Sequence, residues 1–329
     1  MWKGGADLTG LLRACLVEGA SPRVTASLVA LHATAPYAVW CEAFAPPEAR
    51  EPAGRYQVLL AERGKAHETR ILAARHPGLA PPPFPTEEAG FRLALEQMAA
   101  GAPALTGLPL LFLPEGLAGR PDLLERVEGI ASRFGRHAYR VVEIKSARHL
   151  DSADLVQAAF YSALLAKIQG IEPPSVTLIN RDGQAFEHPM EALRPHLQEA
   201  LEGTRAILAG QVVPEPIHGG CPWPWTAFAN RQAEARRDLS LLPGVGRATR
   251  ETLRAAGLRT LGDVAAAEVT ALGGLPRMGI GKARALRAAA AALLAGRPVR
   301  IIPGRVPLPA APVEIFVDLE GAEAADDSG

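Results

Sequence analysis

The sequence predicts an α/β core followed by a small all-α module, on three observations. Up to about residue 215, short apolar segments rich in β-branched residues alternate with segments of helical periodicity. Pro214–Trp225 is rich in proline and glycine, as connectors are. From Ala227 to Gly296 the pattern is almost purely helical. We therefore expect five segments. They are an N-terminal helix (1–21), a core in which helices flank a mixed sheet (22–215), a Trp/Pro-rich connector (216–237), a helical module (238–296) and a linker with one strand (297–329).

Charge is unevenly distributed, although the formal net charge of the 329 residues is zero. Residues 231–305 hold 14 lysines and arginines against 5 aspartates and glutamates. A basic segment joined to an acidic one favours a polyanion-binding arm beside a metal-binding body.

The composition also excludes some classes of protein. Cys15, Cys41 and Cys221 are too few and too scattered for a disulfide-stapled fold. The start of the chain lacks the features of a secretory signal, and no apolar run reaches the about 18 residues that span a bilayer. We expect a cytoplasmic protein without a membrane partner.

Helical periodicity and capping residues place the helices of the core. In the third of them, Leu59, Leu60, Ile71 and Leu72 are expected to face the core. Thr86 is the expected N-cap of the fourth, after a Pro-rich loop at Gly78–Pro85. The predicted helices are 1–20, Thr25–Trp40, Arg55–Arg75, Glu87–Ala100, Ser152–Gln169 and Glu191–Ala209.

Four apolar segments are predicted to be strands. The last is followed by a turn at Arg181-Asp182-Gly183. The predicted strands are Leu108–Leu113, Gly116–Leu124, Tyr139–Ile144 and Ser175–Asn180.

Three charged residues form a candidate catalytic set at the strand ends. Glu143 and Lys145 are two residues apart at the end of a strand, so their side chains share a face of the sheet. Asp122 meets them if the two segments pair as a hairpin. Two carboxylates on one edge suit Mg²⁺, which binds through one or two carboxylates and keeps its waters. A lysine beside the ion can position the attacking water and stabilise charge on a phosphate.

An acid-x-Lys triplet alone is also what a solvated strand end with mixed charges produces. The chain has five lysines, however, and only Lys145 has an acid two residues before it. Asp122, Glu143 and Lys145 therefore predict phosphodiester hydrolysis with Mg²⁺ or Mn²⁺.

Four motifs in order extend this set: Gly64…His67-Glu68, Gly119-Arg120-Pro121-Asp122, Glu143-Ile144-Lys145 and Gln157…Tyr161. In this the chain resembles RecB-like nucleases of the PD-(D/E)XK superfamily. The resemblance implies a restriction-endonuclease-like core, His67 as an additional metal ligand, and Gln157 and Tyr161 supporting the site or contacting DNA. Their i, i+4 spacing places both on one helix face.

Taken singly, each of these residues has a structural alternative. His67 can be a packed or surface histidine, Glu68 can be a solvated acid, and Tyr161 can be a core residue. Only their joint order favours the functional interpretation.

Many RecB-like relatives carry a four-cysteine iron–sulfur cluster, and this chain departs from that pattern. Only Cys221 stands in the segment His218–Trp223, and Ala35 occupies the position expected for the preceding cysteine. We predict that the cluster is absent and that the Trp-rich segment Pro222–Trp225 packs in its place. The alternative is Zn²⁺ held by Cys221, His218 and others, although no CxxC or HxxxH spacing supports it.

Two Gly-x-Gly turns, Gly244-Val245-Gly246 and Gly279-Ile280-Gly281, each open an arginine-bearing helical segment. This resembles tandem helix-hairpin-helix motifs, in which glycine lets the backbone approach a phosphate and the helix N-terminus binds it. The resemblance implies sequence-independent DNA binding. The alternatives are a helical bundle whose turns need glycine and an adaptor for protein contacts. The expected phosphate partners are Arg247, Arg250, Lys282 and Arg284.

The last segment, Val313–Glu320, ends in Asp-x-Glu and resembles the first motif of DnaQ-like exonucleases. Fewer than ten residues follow Glu320, so we expect a fragment or a vestigial strand and assign no catalysis to Asp318 or Glu320. The expected function is a DNA nuclease of repair or recombination. Its alternatives are a catalytically degenerate DNA-binding subunit and an RNA-directed or CRISPR-adaptation-like nuclease.

Overall fold

The computed structural model describes residues 7–298 and residue 315. Its contacts divide the chain into two compact units, residues 1–251 and residues 252–329. This boundary lies inside the segment 238–296 that the sequence suggests as one module. Each unit is described by itself.

Local sequence signals place most helices of the first unit. Helices α4 and α6 have the predicted bounds, and the Thr86 hydroxyl caps α5 by accepting from Ala89 N. The single helix expected over Thr25–Trp40 is wrong. The chain breaks at Ala35, because the residue before Pro36 is driven out of the helical conformation. The helices are α1 (Leu8–Leu16), α2 (Ala26–Thr34), α3 (Pro36–Phe44), α4 (Arg55–Arg75), α5 (Glu87–Ala99), α6 (Ser152–Gln169), α7 (Met190–Leu208) and α8 (Thr226–Ala235).

Two sheets form in the described part of this unit. The smaller has the order β1-β4-β3, with β1 (Val24–Thr25), β3 (Leu110–Phe112) and β4 (Leu117–Gly119). The larger has the order β2-β5-β6-β7-β8, with β2 (Ala104–Thr106), β5 (Leu123–Ser132), β6 (Gly135–Ile144), β7 (Ser175–Ile179) and β8 (Ala185–Pro189).

The larger sheet is mixed, because β6 and β7 are parallel and its other pairs are antiparallel. The predicted α/β core with helices flanking a mixed sheet is therefore confirmed. The single strand expected over Gly116–Leu124 is wrong, since Arg120–Asp122 separates β4 from β5, which belong to different sheets.

Alternation along β5 and β6 divides the apolar side chains between two layers. Leu124, Tyr139 and Val141 belong to the main core, which includes α5 and α6. Leu123 and Val142 instead belong to a smaller cluster with Leu72 of α4 and others. Glu143 has the parity of Tyr139 and Val141, so it lies on the α6 side of the sheet.

Helix α4 contacts the sheet mainly through its C-terminal half. Leu72 is buried, whereas Leu59 and Leu60 are 41% and 47% exposed, so the expectation that these two face the core is wrong. Ionic hydrogen bonds to β5 fix the C-terminal end of α4. Arg75 and His76 both bond the carboxylate of Glu125 on β5, the histidine at 3.0 Å.

The second unit is helical where it is described. Helix α9 (Arg247–Ala255) runs across the boundary, and α10 (Leu261–Ala266), α11 (Val269–Gly273) and α12 (Gly279–Ala295) follow. Thr260 and Asp263 form a capping box that begins α10. The core of this unit consists of Leu253, Leu261, Val264, Leu272, Met278, Ala283, Leu286 and Ala290. The strand expected at 313–320, with Asp318 and Glu320, lies outside the described residues except for Ile315.

Candidate active site and nucleic-acid interface

Asp122 and Glu143 are brought together by the β5–β6 hairpin, in which Leu123 pairs with Val142. The backbone N–H of Asp122 donates to Glu143 Oε1 at 3.2 Å. The N–H of Ile144 donates to Asp122 Oδ2 at 2.7 Å. Each carboxylate therefore accepts a hydrogen bond from the backbone of the segment that carries the other acid. The hairpin that the sequence predicts brings the two residues together in this way. The Thr106 hydroxyl on β2 fixes the same segment by donating to the Asp122 carbonyl at 2.6 Å.

Burial makes this pair of acids resist ionisation. Glu143 is 1% exposed, and burial followed by the nearby Asp122 charge raises its pKa to about 8, against the opposing effect of Lys145. Burial also raises the pKa of Asp122, although the Ile144 N–H and the Lys145 charge oppose the shift. Together the acids form a coupled pair that keeps a proton near neutral pH. A cation placed between them would displace that proton.

Lys145 supplies a positive charge beside the pair. Its Nζ lies 3.4 Å from Glu143 Oε2 and 3.6 Å from Asp154 Oδ1. It also donates to Gln157 Oε1 at 2.8 Å. Three contacts from two elements hold the ammonium group in one place, at the end of β6 and beside the first turns of α6.

Gln157 and Tyr161 lie on the face of α6 that meets these groups. Tyr161 is buried, and its hydroxyl has Gln157 and the backbone of Arg120 as hydrogen-bond partners. Burial and the charges of Glu143 and Asp122 raise its pKa. A Cβ at Gly119 would lie 2.5 Å from Tyr161 Cε1, so the ring needs glycine at this position. The tyrosine is thus both a core residue and a neighbour of the acids.

Helix α4 presents His67 and Glu68 near the strand ends. Burial, followed by the nearby Asp122 charge, raises the pKa of Glu68. His67 Nδ1 lies 3.0 Å from Arg70 Nη2. Its ring is next to the backbone of Asn180, yet no group among the described residues meets the buried Nε2 with hydrogen-bond geometry. Burial and Arg70 lower the pKa of His67, which favours the neutral ring that a metal ion requires.

The structure does not gather all three expected metal ligands. In the part of the chain that it describes, no three His, Cys, Asp or Glu side chains come close enough to share an ion. Asp122 and Glu143 adjoin, and His67 stands apart from them. Two carboxylates still fit Mg²⁺ or Mn²⁺, because such ions keep several waters. The His67 Nε2 atom is buried and has no hydrogen-bond partner among the described residues, so His67 does not complete the set.

Cys221 lies beside Cys41 rather than His218. Both cysteines belong to one buried cluster, and each thiol shifts the pKa of the other. His218 instead pairs with Glu234, at 3.7 Å. The pairing gives no support to the zinc alternative, and the absence of an iron–sulfur cluster stays a prediction. Trp225 packs in the cluster that contains both cysteines, close to where the sequence suggests.

The first Gly-x-Gly turn is exposed. Gly244 has φ +73°, and a Cβ at Gly244 or Gly246 would meet no atom within 4 Å. Helix α9 begins at the exposed Arg247, which donates to Thr34 O at 3.3 Å.

Arg250 does not fit the expected phosphate role. It is 8% exposed, and its guanidinium bonds Asp238 and Glu215, each at 2.7 Å. These two carboxylates take the Nε and Nη2 donors and neutralise the cation, so the buried residue is poorly placed to bind a phosphate. The expectation for this residue is corrected, because the chain folds the acids over it.

The second turn is also open to solvent. Gly279 has φ +69° and starts α12, and neither it nor Gly281 would place a Cβ within 4 Å of another atom. Lys282 is half-buried and Arg284 is exposed in the first two turns of the helix. The arrangement leaves the N-terminal end of a 17-residue helix accessible.

Sequence reasoning missed several residues of the site. Asp154, Thr106 and Glu125 act only through contacts between distant segments. Asp154 had one usable signal, since it lies on the same helix as Gln157 and three residues before it. Glu68 lies in one of the motifs that the sequence singles out, but it is given no role there, and a solvated acid is its alternative.

A comparison with models of known protein families gives no match, and neither does a comparison with curated protein sequences. Among the described residues, no helix has the length and apolar character needed to cross a bilayer. The chemistry of the site therefore has to carry the functional argument.

Proposed function

We propose that this chain is a metal-dependent DNA nuclease with a PD-(D/E)XK-type core and helix-hairpin-helix DNA binding. The observation that carries the proposal is the adjacent pair of the partly buried Asp122 and the buried Glu143, with Lys145 beside them. Two adjacent acids in a buried setting cost folding free energy when both are ionised, and a bound cation offsets that cost. Lys145 Nζ lies 3.4 Å from Glu143 Oε2, and a cation beside the acids can stabilise the charge that develops on a phosphate.

Asp122 and Glu143 are the residues that would hold Mg²⁺ or Mn²⁺. When bound there, the ion supplies Lewis-acid polarisation of the phosphate and a lowered pKa for a water ligand. Lys145 places its charge where negative charge grows on the phosphate oxygens. Gln157 keeps the lysine in place, and Tyr161 closes the site from the core side.

The exposed Gly-x-Gly turns support the DNA part of the proposal. Exposed backbone N–H groups at the start of α9 and α12 favour phosphate oxygens, and Arg247 and Arg284 lie beside them in the basic segment. Such contacts carry no base recognition, so binding is sequence-independent. Affinity for duplex DNA should fall linearly on a log–log plot against salt. Arg284→Ala should reduce the slope by about one.

The test of the nuclease proposal is degradation of end-labelled linear and circular DNA with Mn²⁺. Wild type should degrade DNA, and Lys145→Ala should reduce the rate by about 100-fold or more. Lys167→Ala is the matched control, because Lys167 is a lysine of the same unit that lies on α6 and pairs with Glu115 on the surface, away from the two acids. RNA of the same sequence serves as a second substrate.

Two outcomes would overturn the proposal. A folded wild-type protein that binds DNA but cleaves neither DNA nor RNA would indicate a degenerate subunit. Cleavage of RNA alone would assign the site to another substrate.

A further inference from the structure

Cys41 and Cys221 are 180 positions apart in the sequence and meet in one buried cluster of the first unit. Cys41 lies on α3, and Cys221 lies in the segment before α8. They are 1% and 5% exposed and share the cluster with Tyr37, Ala38 and Trp225. Each thiol shifts the pKa of the other, so the two side chains are close neighbours. Two neighbouring thiols need little movement to become bonded.

Several hydrogen bonds hold the two segments in this position. Trp225 Nε1 donates to Glu42 Oε1 at 2.9 Å, and Ala227 N donates to Glu51 Oε1 at 2.6 Å. Glu51 N donates to Pro224 O at 2.9 Å. These bonds join the two segments that carry the cysteines, so they fix the backbone positions of both residues relative to each other.

The two cysteines differ in access. A cavity of about 230 Å³ is lined by Cys221 but not by Cys41. Tyr37, Arg247 and Arg250 line the same cavity, together with Glu215 and Glu251. A small reagent that enters it meets Cys221 rather than Cys41.

The two cysteines also differ in acidity. Interaction between the two thiols lowers the pKa of Cys221 and raises that of Cys41. The thiolate is the form that attacks a disulfide. Acidity and access thus single out the same residue as the nucleophile.

We propose that Cys41 and Cys221 form a reversible thiol–disulfide site in which Cys221 attacks and Cys41 resolves. The co-reactant is a low-molecular-weight disulfide. The Cys221 thiolate attacks one of its sulfurs, and the other half leaves as a thiolate that takes up the proton lost by Cys221. The Cys41 thiolate then attacks the Cys221 sulfur of the mixed disulfide, and the second half leaves as a thiol with the Cys41 proton. The protein loses two electrons and two protons, and the small disulfide is reduced to two thiols.

The third cysteine provides an internal control. Cys15 is 0% exposed, it belongs to the main core rather than this cluster, and burial raises its pKa to about 11. It has neither a cysteine partner nor the acidity for exchange, so it should stay reduced under the same conditions.

The experiment treats the full chain, first reduced, with glutathione disulfide. Intact mass and non-reducing peptide mapping identify the products. Wild type should lose two hydrogens, keep no glutathione, and yield a Cys41–Cys221 peptide that a dithiol reductant separates. Cys41→Ser should trap one glutathione on Cys221. Cys221→Ser should stay unmodified at Cys41, and Cys15→Ser should behave like wild type.

The wild-type result does not depend on how the variants fold. Glutathione retained on wild-type Cys221, attachment first at Cys41 or Cys15, or no oxidation across the range of glutathione ratios would each overturn the proposal. Circular dichroism of each variant shows whether its behaviour reports on the native cluster. The outcome is independent of the nuclease proposal, because it is measured without metal or DNA.

Discussion

Replacing Glu143 by glutamine isolates the energetic consequence of burying its carboxylate. The pKa of Glu143 is raised from 4.5 to about 8. Such a shift corresponds to at most about 5 kcal/mol between the protonation states. Because the folded-state pKa is raised, the proton stabilises the folded protein. The contribution is complete below about pH 4.5 and is lost as the pH rises through about 8.

Glutamine keeps the shape of the side chain and an oxygen for the Asp122 N–H, but it carries no titratable proton. Without metal, wild type should therefore lose stability relative to Glu143→Gln between about pH 5 and pH 8, with a slope of up to about 1.4 kcal/mol per pH unit. The assay is urea denaturation in chelator at several pH values. Glu128→Gln is the control, because Glu128 lies on the same hairpin with a side chain that is 72% exposed.

Adding Mn²⁺ at about pH 8 should restore the stability of wild type and leave Glu143→Gln unchanged, because the ion binds the deprotonated pair. Parallel stability curves for wild type and Glu143→Gln over the whole pH range would refute the reasoning. So would an equal response of both proteins to the metal.

Three further predictions concern the frame of the site. Gly119→Ala should lower the free energy of unfolding by about 1–3 kcal/mol, because the added methyl group has no room beside the ring of Tyr161. It should also shift the absorbance and fluorescence of Tyr161. An unchanged melting temperature would contradict this prediction. Arg250→Ala should lower the free energy of unfolding by about 3–5 kcal/mol, because it leaves Asp238 and Glu215 without their cation. The exposed Arg247→Ala should lower it by under about 1 kcal/mol. Equal denaturation midpoints for the two variants would contradict the ion-pair assignment. Burial acts to raise the pKa of Glu125, but its Arg and His partners prevail and lower it to about 2. The Glu125 carboxylate therefore stabilises the folded protein above about pH 4.5, and this stabilisation is lost as the pH falls towards 2. When stability is measured as a function of pH, Glu125→Gln should lack this part of the loss in acid.

Local signals in the sequence were sufficient for the long elements. Helices α4 and α6 have the predicted bounds because strong breakers and capping residues flank periodic segments. Asp122 and Glu143 could be paired in advance because a hairpin was the simplest connection between their strands. The resulting contact depends on register, and the hydrophobic alternation of β5 and β6 sets it.

Contacts between distant segments account for what the sequence did not predict. Leu59 and Leu60 have helical periodicity, but only the far end of α4 is covered by the sheet. Arg250 looked like a surface cation because nothing local indicates that Asp238 and Glu215 fold against it. The contact of Cys41 with Cys221 likewise follows from tertiary packing across 180 positions.

The most direct measurement is the anomalous scattering of Mn²⁺ in crystals of the protein grown at about pH 8. One strong peak should stand between the carboxylates of Asp122 and Glu143, with oxygen ligands at about 2.0–2.2 Å, and it should vanish from crystals of Glu143→Gln. Manganese bound elsewhere in the molecule, with no density between these two acids, would contradict the assignment of the site.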